Sequence, residues 1–426
     1  LLRRDAGRGL PAGKDKQGDI MNRVVVTGIG MLSPIGNDAA SVVEGLKNGR
    51  SGIKAMEEWK AMKGLNSFVG GEVTGFDPKR IPRHARRTMG KVSVMATIAA
   101  EDAAKDAGLA PEYLRSGRAG ISLGSTTGSP KCMSDFFSEF TLKGGIEEQM
   151  GTSFMKVMGH TTAANAAVHL GVTGCVYSPT SACASSAQAI GLGYDLIRHG
   201  QQEVMLCGGA EELHVTTAGT FDIVRAASRA YNDSPTKTPR PFDAARDGLA
   251  VSEGAAVMVL EDRERALARN APVYAEVLGY TTCCDGEHIA MPSREGMLRC
   301  MRESLLSAGL QPGDIDYINA HATGTQLGDA AESWGIRELF GAKVPVSSSK
   351  GHVGHTIGAC GCLEAIFSIL MMREGFLAPT LNLEKVSEDC AGVNHLQQPA
   401  AVRARRVLSN SFAFGGINAS LIFGTR

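Results

Sequence analysis

Short runs of β-branched and aliphatic residues alternate along this chain with longer stretches of small and apolar residues at helical spacing. "RVVVTG" (Arg23–Gly28), "AGISLG" (Ala119–Gly124), "EVMLCG" (Glu203–Gly208) and "AAVMVLE" (Ala255–Glu261) read as strands. So do "VYAEVLG" (Val273–Gly279), "DYINAH" (Asp316–His321), "VPVSSS" (Val344–Ser349) and "RRVLSNSF" (Arg405–Phe412). Most are apolar throughout rather than alternating, as expected of strands covered on both faces in a layered α/β fold.

The pattern also repeats. Ala103–Gly128 resembles Glu303–Gly324: each reads as a helix ending in Ala-Gly-Leu, a proline turn, a strand and a Gly/Thr-rich tip. Ser181–Gly200 echoes Gly354–Gly375: each is a small-residue helix start that runs into a longer apolar helix closed by glycine. The two echoes stand farther apart in the first half, which places an insertion within 131–170. Two similar α/β halves predict a pseudo-twofold whose equivalent strand ends meet at one place. Residues 21–270 form the first half and 271–426 the second.

Composition narrows the function classes. Formal net charge is zero over 426 residues, which argues against a strongly basic nucleic-acid binder. No apolar run approaches the roughly 18–20 residues of a membrane span. Residues 1–20 are polar and glycine-rich and contain acids, unlike a secretory or transit signal, and read as a disordered leader or tag. The ten cysteines show no paired C-x-x-C spacing. This argues against structural zinc and suits reduced thiols in a cytoplasm.

Four strand ends carry candidate chemistry. In "SPTSACASSAQAIGLG" (Ser178–Gly193), Cys183 sits where a strand gives way to a helix. It is either one more core thiol or a nucleophile whose thiolate the helix N-terminus favours. In "NAHATGTQLGDAAES", His321 precedes Thr323 and Thr325, while Asp329 and Glu332 fall on the first turn of a helix. Asp329 reads there as charge complementing the helix dipole. In "SSSKGHVGHTIGACG", Lys350, His352 and His355 cluster between a strand and a glycine-rich helix, with no third ligand to make the histidines a metal site. In "NSFAFGGINAS", Phe412, Phe414 and two glycines link two strands, as a core hairpin or as a gate over a site.

With "HATGT", "SKGHVGH", "FGGIN" and Tyr231–Asp262 following the cysteine loop in order, the chain resembles the elongating 3-oxoacyl-acyl-carrier-protein synthases. These β-ketoacyl synthases of type I/II belong to the thiolase superfamily. The resemblance runs from about Arg23 to Phe423 and implies a thiolase-like α/β fold, with two pseudo-twofold halves in an α-β-α-β-α core. It implies decarboxylative condensation of an acyl group on Cys183 with malonyl-acyl carrier protein, lengthening a fatty-acyl or polyketide-like chain by two carbons. His321 and His355 would stabilise the enolate, and Lys350, with Glu332, would orient them. Backbone N–H groups of Cys183 and Phe414 would form the oxyanion hole. Thr323 and Thr325 would hold the pantetheine arm, Phe412 would contact substrate, and Phe221 and Thr127 would line the acyl pocket, with Thr127 near a dimer interface. No metal or redox cofactor is implied, since decarboxylation supplies the carbanion.

Some positions depart from the family pattern: Ala322, Val353, Ala413 and Ile417 replace its usual residues. They spare the catalytic set and leave the acyl substrate open, a specialised lipid or polyene pathway being the alternative. A cysteine hydrolase using Asn418, a non-catalytic chain-length partner subunit and a thiolase are the rival classes. The expected partners are acyl carrier protein and a second copy of the chain in a homodimer. The basic run Pro78–Lys91, with Arg83, Arg86 and Arg87, together with Arg225 and Arg229, reads either as solvated helix faces or as a rim that steers an acidic carrier.

Overall fold

The computed structural model describes residues 21–425, and the leader expected at 1–20 lies outside them. The first half runs β1 (Val24–Leu32), α1 (Lys91–Asp106), β2 (Ala119–Gly124), α2 (Thr161–Leu170), β3 (Val176–Tyr177), α3 (Ser185–Arg198), β4 (Val204–Glu211) and β5 (Gly254–Asp262). The second half follows the same order: β6 (Ala275–Cys284), α4 (Arg294–Ala308), β7 (Tyr317–Asn319), α5 (Gln326–Phe340), β8 (Pro345–Ser347), α6 (Cys360–Glu374), β9 (Arg406–Ala413) and β10 (Ile417–Gly424). All eight strands expected from the hydrophobic pattern are present, within a few residues at their ends.

The pairing order reproduces the repeat. Inward from its edge the first half reads β3-β2-β4-β5-β1; the second, inside an extra parallel edge strand Asn394–His395, reads β8-β7-β9-β10-β6. In each half the first three strands are mutually parallel, and the next two pairings are antiparallel. β1 and β6 join the halves through a short antiparallel pairing of Val24–Val26 with Ala275–Val277. The insertion expected within 131–170 lies between β2 and α2, as helices that include Pro130–Ser138 and Ser153–Val157. The last part of that window is α2 itself, which has α5 as its counterpart.

Burial explains the periodicities. Every residue of β1 and β4 is buried, so these strands have no polar face to alternate with. α1 and α2 cover the outer face of the first-half sheet, and α4 and α5 that of the second. α3 and α6 pack against each other between the halves. The result is the α-β-α-β-α layering of a thiolase-like fold. α6 is buried from Cys360 through Met372 and is apolar all round, whereas α4 buries only one stripe.

The two central helices start side by side. Each is preceded by a single tight turn, Ala182–Ala184 before α3 and Ile357–Ala359 before α6. Each turn opens on a non-glycine residue in the left-handed region, Ala182 at φ 48° and Ile357 at φ 46°. Such backbone costs on the order of 1–3 kcal/mol and persists only where its surroundings fix it. The Cys362 amide donates to Ser186 Oγ at 3.0 Å, and the Cys360 thiol to the Cys183 carbonyl at 3.2 Å. A Cβ added at Gly361 would lie 2.8 Å from the Ala187 amide nitrogen.

Gly361→Ala should therefore force the helices apart and lower stability by about 1–3 kcal/mol. Gly219→Ala, in helix Val215–Ile223 where a Cβ meets nothing within 4 Å, should be neutral or mildly stabilising. Urea unfolding of both variants checks this, and equal midpoints would refute the packing argument.

Candidate active site

Cys183 lies in the tight turn that opens α3 and is 4% exposed. Its Sγ is 2.9 Å from His355 Nε2. Burial pushes the thiol up to about 12, against the pull of Lys350 and of the cysteine's own backbone N–H. The resting group is thus a protonated thiol. This corrects the expectation of a thiolate favoured by the helix N-terminus: desolvation outweighs the partial charge of the dipole.

His355 follows the short helix Lys350–Val353, which begins after β8, and Gly354 turns the chain at φ 72° between them. His321 follows β7, and the two imidazoles meet edge to face with centroids 5.2 Å apart. Burial and then the Lys350 charge push both histidines well below the ordinary histidine range, so both are neutral.

Lys350 is fully buried, and Glu364 of α6 holds its Nζ at 2.5 Å. Burial opposes the ammonium, but Glu364, with Cys360 and Glu332, together outweigh it and keep the lysine above its ordinary pKa. The same Nζ lies 3.3 Å from His321 Nδ1. An ammonium has only protons to offer, so His321 Nδ1 accepts and its proton resides on Nε2.

Glu332, expected beside Lys350, plays a different part. Its carboxylate accepts the backbone amides of His321 at 2.9 Å and Ala322 at 2.7 Å, and the Asn410 side chain at 3.0 Å. It holds the His321 loop, while Glu364 is the direct counter-charge. Glu364 was missed in the sequence, although it is the one charged residue in the apolar run "CGCLEAIFSILMM". Asp329 is also more than a dipole partner. It is fully buried and accepts the amides of Phe242, Thr323 and Gly324 at 2.8, 3.0 and 3.1 Å. Thr323 and Thr325 join through their hydroxyls at 3.1 Å.

Cys183 stands between two cavities. The first, of about 430 Å³, is lined by His321, His355, Thr323, Thr325, Phe412 and Arg225, among others. The second, of about 450 Å³, is lined by Thr127, Met133, Phe137, Thr217 and Ile357, among others. Cys183, Phe221 and Phe414 line both. The Phe221 and Phe414 rings stack at 5.8 Å with an interplanar angle of 23°, forming a common wall.

Phe414 occupies the turn of the β9–β10 hairpin, where Ala413 pairs with Ile417 and Gly415 and Gly416 take φ values of 88° and 67°. The segment after β6 anchors this turn. The Gly415 amide donates to the Ile289 carbonyl at 2.7 Å, and the Asp285 amide to that of Gly416 at 2.8 Å. The Asn418 side chain donates to Asp285 at 2.6 Å, an interaction that takes it away from any hydrolase-like role beside a histidine. The His352 ring nitrogens face the carbonyls of Arg50 and Pro379, outside the site.

The basic residues divide. Arg225 lines the first cavity, and Arg83, Arg86 and Arg87 line neither. Arg83 and Arg87 are exposed. Arg80, Lys91 and Arg229 form ion pairs with acids of the fold, and Arg86 donates to the Ile81 carbonyl at 2.8 Å.

Comparison with known proteins agrees with this geometry. Residues 21–266 match the family model "Beta-ketoacyl synthase, N-terminal domain", and residues 274–384 its C-terminal counterpart. The chain is 40% identical to 3-oxoacyl-[acyl-carrier-protein] synthase 1 of Escherichia coli K12 over 94% of its own length and 98% of the relative's. A beta-ketoacyl synthase structure from Burkholderia phymatum superposes with a TM-score of 0.92 at 42% identity, covering 95% of this chain and all of that one. A type II polyketide ketosynthase, solved with its acyl-carrier protein and bound to a hexaketide, gives 0.87 at 26% identity over the same shares. With its two domain models matched in sequence order and its thiol, histidines and lysine gathered at one strand-end junction, the chain belongs to the beta-ketoacyl synthase family.

Proposed function

We propose that this chain condenses an acyl group held on Cys183 with malonyl-acyl carrier protein. The observation that carries the reading is that Cys183, Phe221 and Phe414 line both cavities. A condensing thiol needs two rooms, one for the chain it holds and one for the incoming donor. The second cavity, walled by Met133, Phe137 and Ile357, suits an acyl chain. The first, with the Thr323–Thr325 hydroxyl pair, suits a pantetheine arm.

In the first half-reaction the Cys183 sulfur attacks the acyl thioester. Its proton leaves for the departing pantetheine sulfur, with His355 Nε2 in reach to relay it. Backbone N–H groups of Cys183 and Phe414 receive the charge on the carbonyl oxygen. In the second, malonyl thioester loses carbon dioxide and its oxygen becomes an enolate. His321, whose Nε2–H is fixed by Lys350, donates to that oxygen together with His355. The enolate carbon then attacks the acyl carbonyl, and the Cys183 sulfur departs as thiolate and takes a proton from solvent to restore the resting thiol. Decarboxylation supplies the electrons, so no metal or redox cofactor enters the scheme. The Lys350 ammonium beside the two histidines also opposes a bound cation.

The carrier protein is the proposed partner, and the cytoplasm the proposed compartment. No helix among the described residues is long and apolar enough to cross a membrane. A homodimer is supported by the outer position of β3, whose Val176 and Tyr177 are exposed, and by the exposed Phe137, Phe140 and Phe154 of the insertion.

Four outcomes test this reading. Incubation with an acyl thioester should acylate Cys183, and Cys183→Gln should abolish condensation yet still decarboxylate malonyl carrier protein. Adding His355→Ala to that background should cost about 100-fold in decarboxylation. Because both histidines are held neutral, the decarboxylation rate of Cys183→Gln should stay flat from pH 8 to pH 6. A titration midpoint near the ordinary histidine value of 6.5 would contradict their assignment.

Glu364→Gln leaves the buried ammonium without its counter-charge. It should cost about 3–5 kcal/mol of stability by chemical denaturation, the scale for breaking a buried pair. Wild-type stability would show that Lys350 has another partner.

Charge reversal at exposed Arg83 and Arg87, which line neither cavity, should raise KM for the carrier-bound substrate and spare a small pantetheine thioester, with the difference shrinking in 0.5 M salt. Equal, salt-independent loss on both substrates would remove these arginines from docking. Sedimentation of a fully active monomer would remove the dimer.

A further inference from the structure

The second-half sheet holds a pair of thiols that condensation does not use. Cys283 lies on β6, partly buried, paired in register with Asn418 of β10. Cys300 is buried on α4, one turn beyond Gly296. Cys283 Sγ is 3.8 Å from the Gly296 carbonyl oxygen, the acceptor for the Cys300 amide in an unbroken helix. Cys300 Sγ in turn is 3.7 Å from the carbonyl oxygen of Thr281, two residues before Cys283 on the same strand. Each thiol thus faces a backbone carbonyl of the other's element, which brings the two together across the strand–helix contact.

Their surroundings differ from those of the other buried cysteines. The neighbouring Cys300 thiol, and then the Arg299 guanidinium, hold Cys283 below the ordinary thiol range against burial. The closeness of Cys283, and then burial, raise Cys300. Cys207, Cys360 and Cys362 are simply pushed up by burial. Cys283 therefore has the nucleophile's environment and Cys300 stands behind it as a resolving thiol.

We propose that Cys283 and Cys300 form a dithiol–disulfide couple, oxidised by low-molecular-weight disulfides, that tethers the strand anchoring the β9–β10 hairpin. Cys283 thiolate attacks the small disulfide, bonding to one sulfur and releasing the other as thiolate. Cys300 then attacks the Cys283 sulfur of the mixed disulfide and releases the second thiolate. The two cysteine protons end on the two released thiols, and the two electrons have passed to the small disulfide.

The new bond, about 2.05 Å long, draws β6 toward α4. Two residues beyond Cys283, Asp285 donates its amide to Gly416 at 2.8 Å and accepts from the Asn418 side chain at 2.6 Å. A tethered β6 therefore restrains the hairpin that carries Phe414. This consequence for turnover rests on the proposed condensation, whereas formation of the bond does not.

The full chain is incubated with oxidised glutathione and digested without reductant. A cross-linked peptide pair joining Cys283 to Cys300 is expected, lost on adding dithiothreitol. Cys300→Ser should instead accumulate a glutathione adduct at Cys283, and Cys283→Thr should show neither product. Oxidation should lower the turnover of wild type by roughly fivefold more than that of Cys300→Ser, reversibly, on the scale of a hindered loop step. Comparison with Cys300→Ser cancels any loss at Cys183. A stable Cys283 adduct in wild type, or modification of exposed Cys284 alone, would overturn the couple. A cross-link with wild-type turnover would overturn the tether, and it would leave the condensation assignment untouched.

Discussion

Everything in this site depends on α3 and α6 beginning in contact. Each helix brings its own turn, and only small side chains allow the two turns to share one place. Ala182, Ala184 and Ala187 line one side and Gly358, Ala359 and Gly361 the other. A Cβ at Gly361 would collide with Ala187, and one at Gly358 would lie 2.9 Å from the Thr126 amide nitrogen. The contact sets the 2.9 Å separation of Cys183 and His355, residues 172 positions apart in the chain. The matched left-handed residues Ala182 and Ile357 show the same strain on both sides of the pseudo-twofold. Function has diverged on that symmetric frame, with a thiol emerging from one half and the imidazole–ammonium set from the other.

The second requirement is one positive charge held on a fully buried side chain. A buried ion pair seldom adds net stability, because desolvation of both ions offsets their attraction. The Lys350–Glu364 pair is therefore better understood through what its charge does to its neighbours. It lowers the proton affinity of His321 and His355, already reduced by burial, and directs the His321 proton to Nε2. It also pulls the Cys183 thiol down, though less than burial raises it. The thiol and both imidazoles rest neutral, and the enolate charge develops on a substrate oxygen. Preorganised neutral donors in a buried site serve that condition, because they need not reorganise as the charge appears.

This division also explains what the sequence revealed. Strands were legible because residues buried on both faces leave unbroken apolar runs, and the repeat because both halves bury the same pattern. Cys183, His321, Lys350 and His355 were legible because each punctuates a strand end with a residue the core does not need. Glu364 was hidden, since it looks like an interruption in an apolar helix until the fold sets Lys350 against it. The helix-dipole argument misjudged Cys183 and described Asp329 incompletely for one reason: both judgements used local sequence, and the deciding quantity was burial by distant segments. The basic run at Pro78–Lys91 was similarly flattened, because Arg80 finds acids on α1 and Lys91 finds Glu253 far along the chain.

The Phe221–Phe414 wall sets how the two cavities communicate. An aromatic pair contributes about 0.5–1.5 kcal/mol beyond the area it buries. Parting these two rings is therefore cheap beside the binding energy of a long substrate. Their supports are unequal. Phe221 is buried on the helix Val215–Ile223, while Phe414 is 43% exposed on a turn whose two glycines sit at positive φ. Motion at the wall therefore falls to Phe414. Its limit is set beneath the turn, where Asp285 and Ile289 hold Gly415, Gly416 and Asn418 by hydrogen bonds. A ring that moves without those bonds breaking opens the wall beside Cys183 while leaving the β9–β10 hairpin anchored.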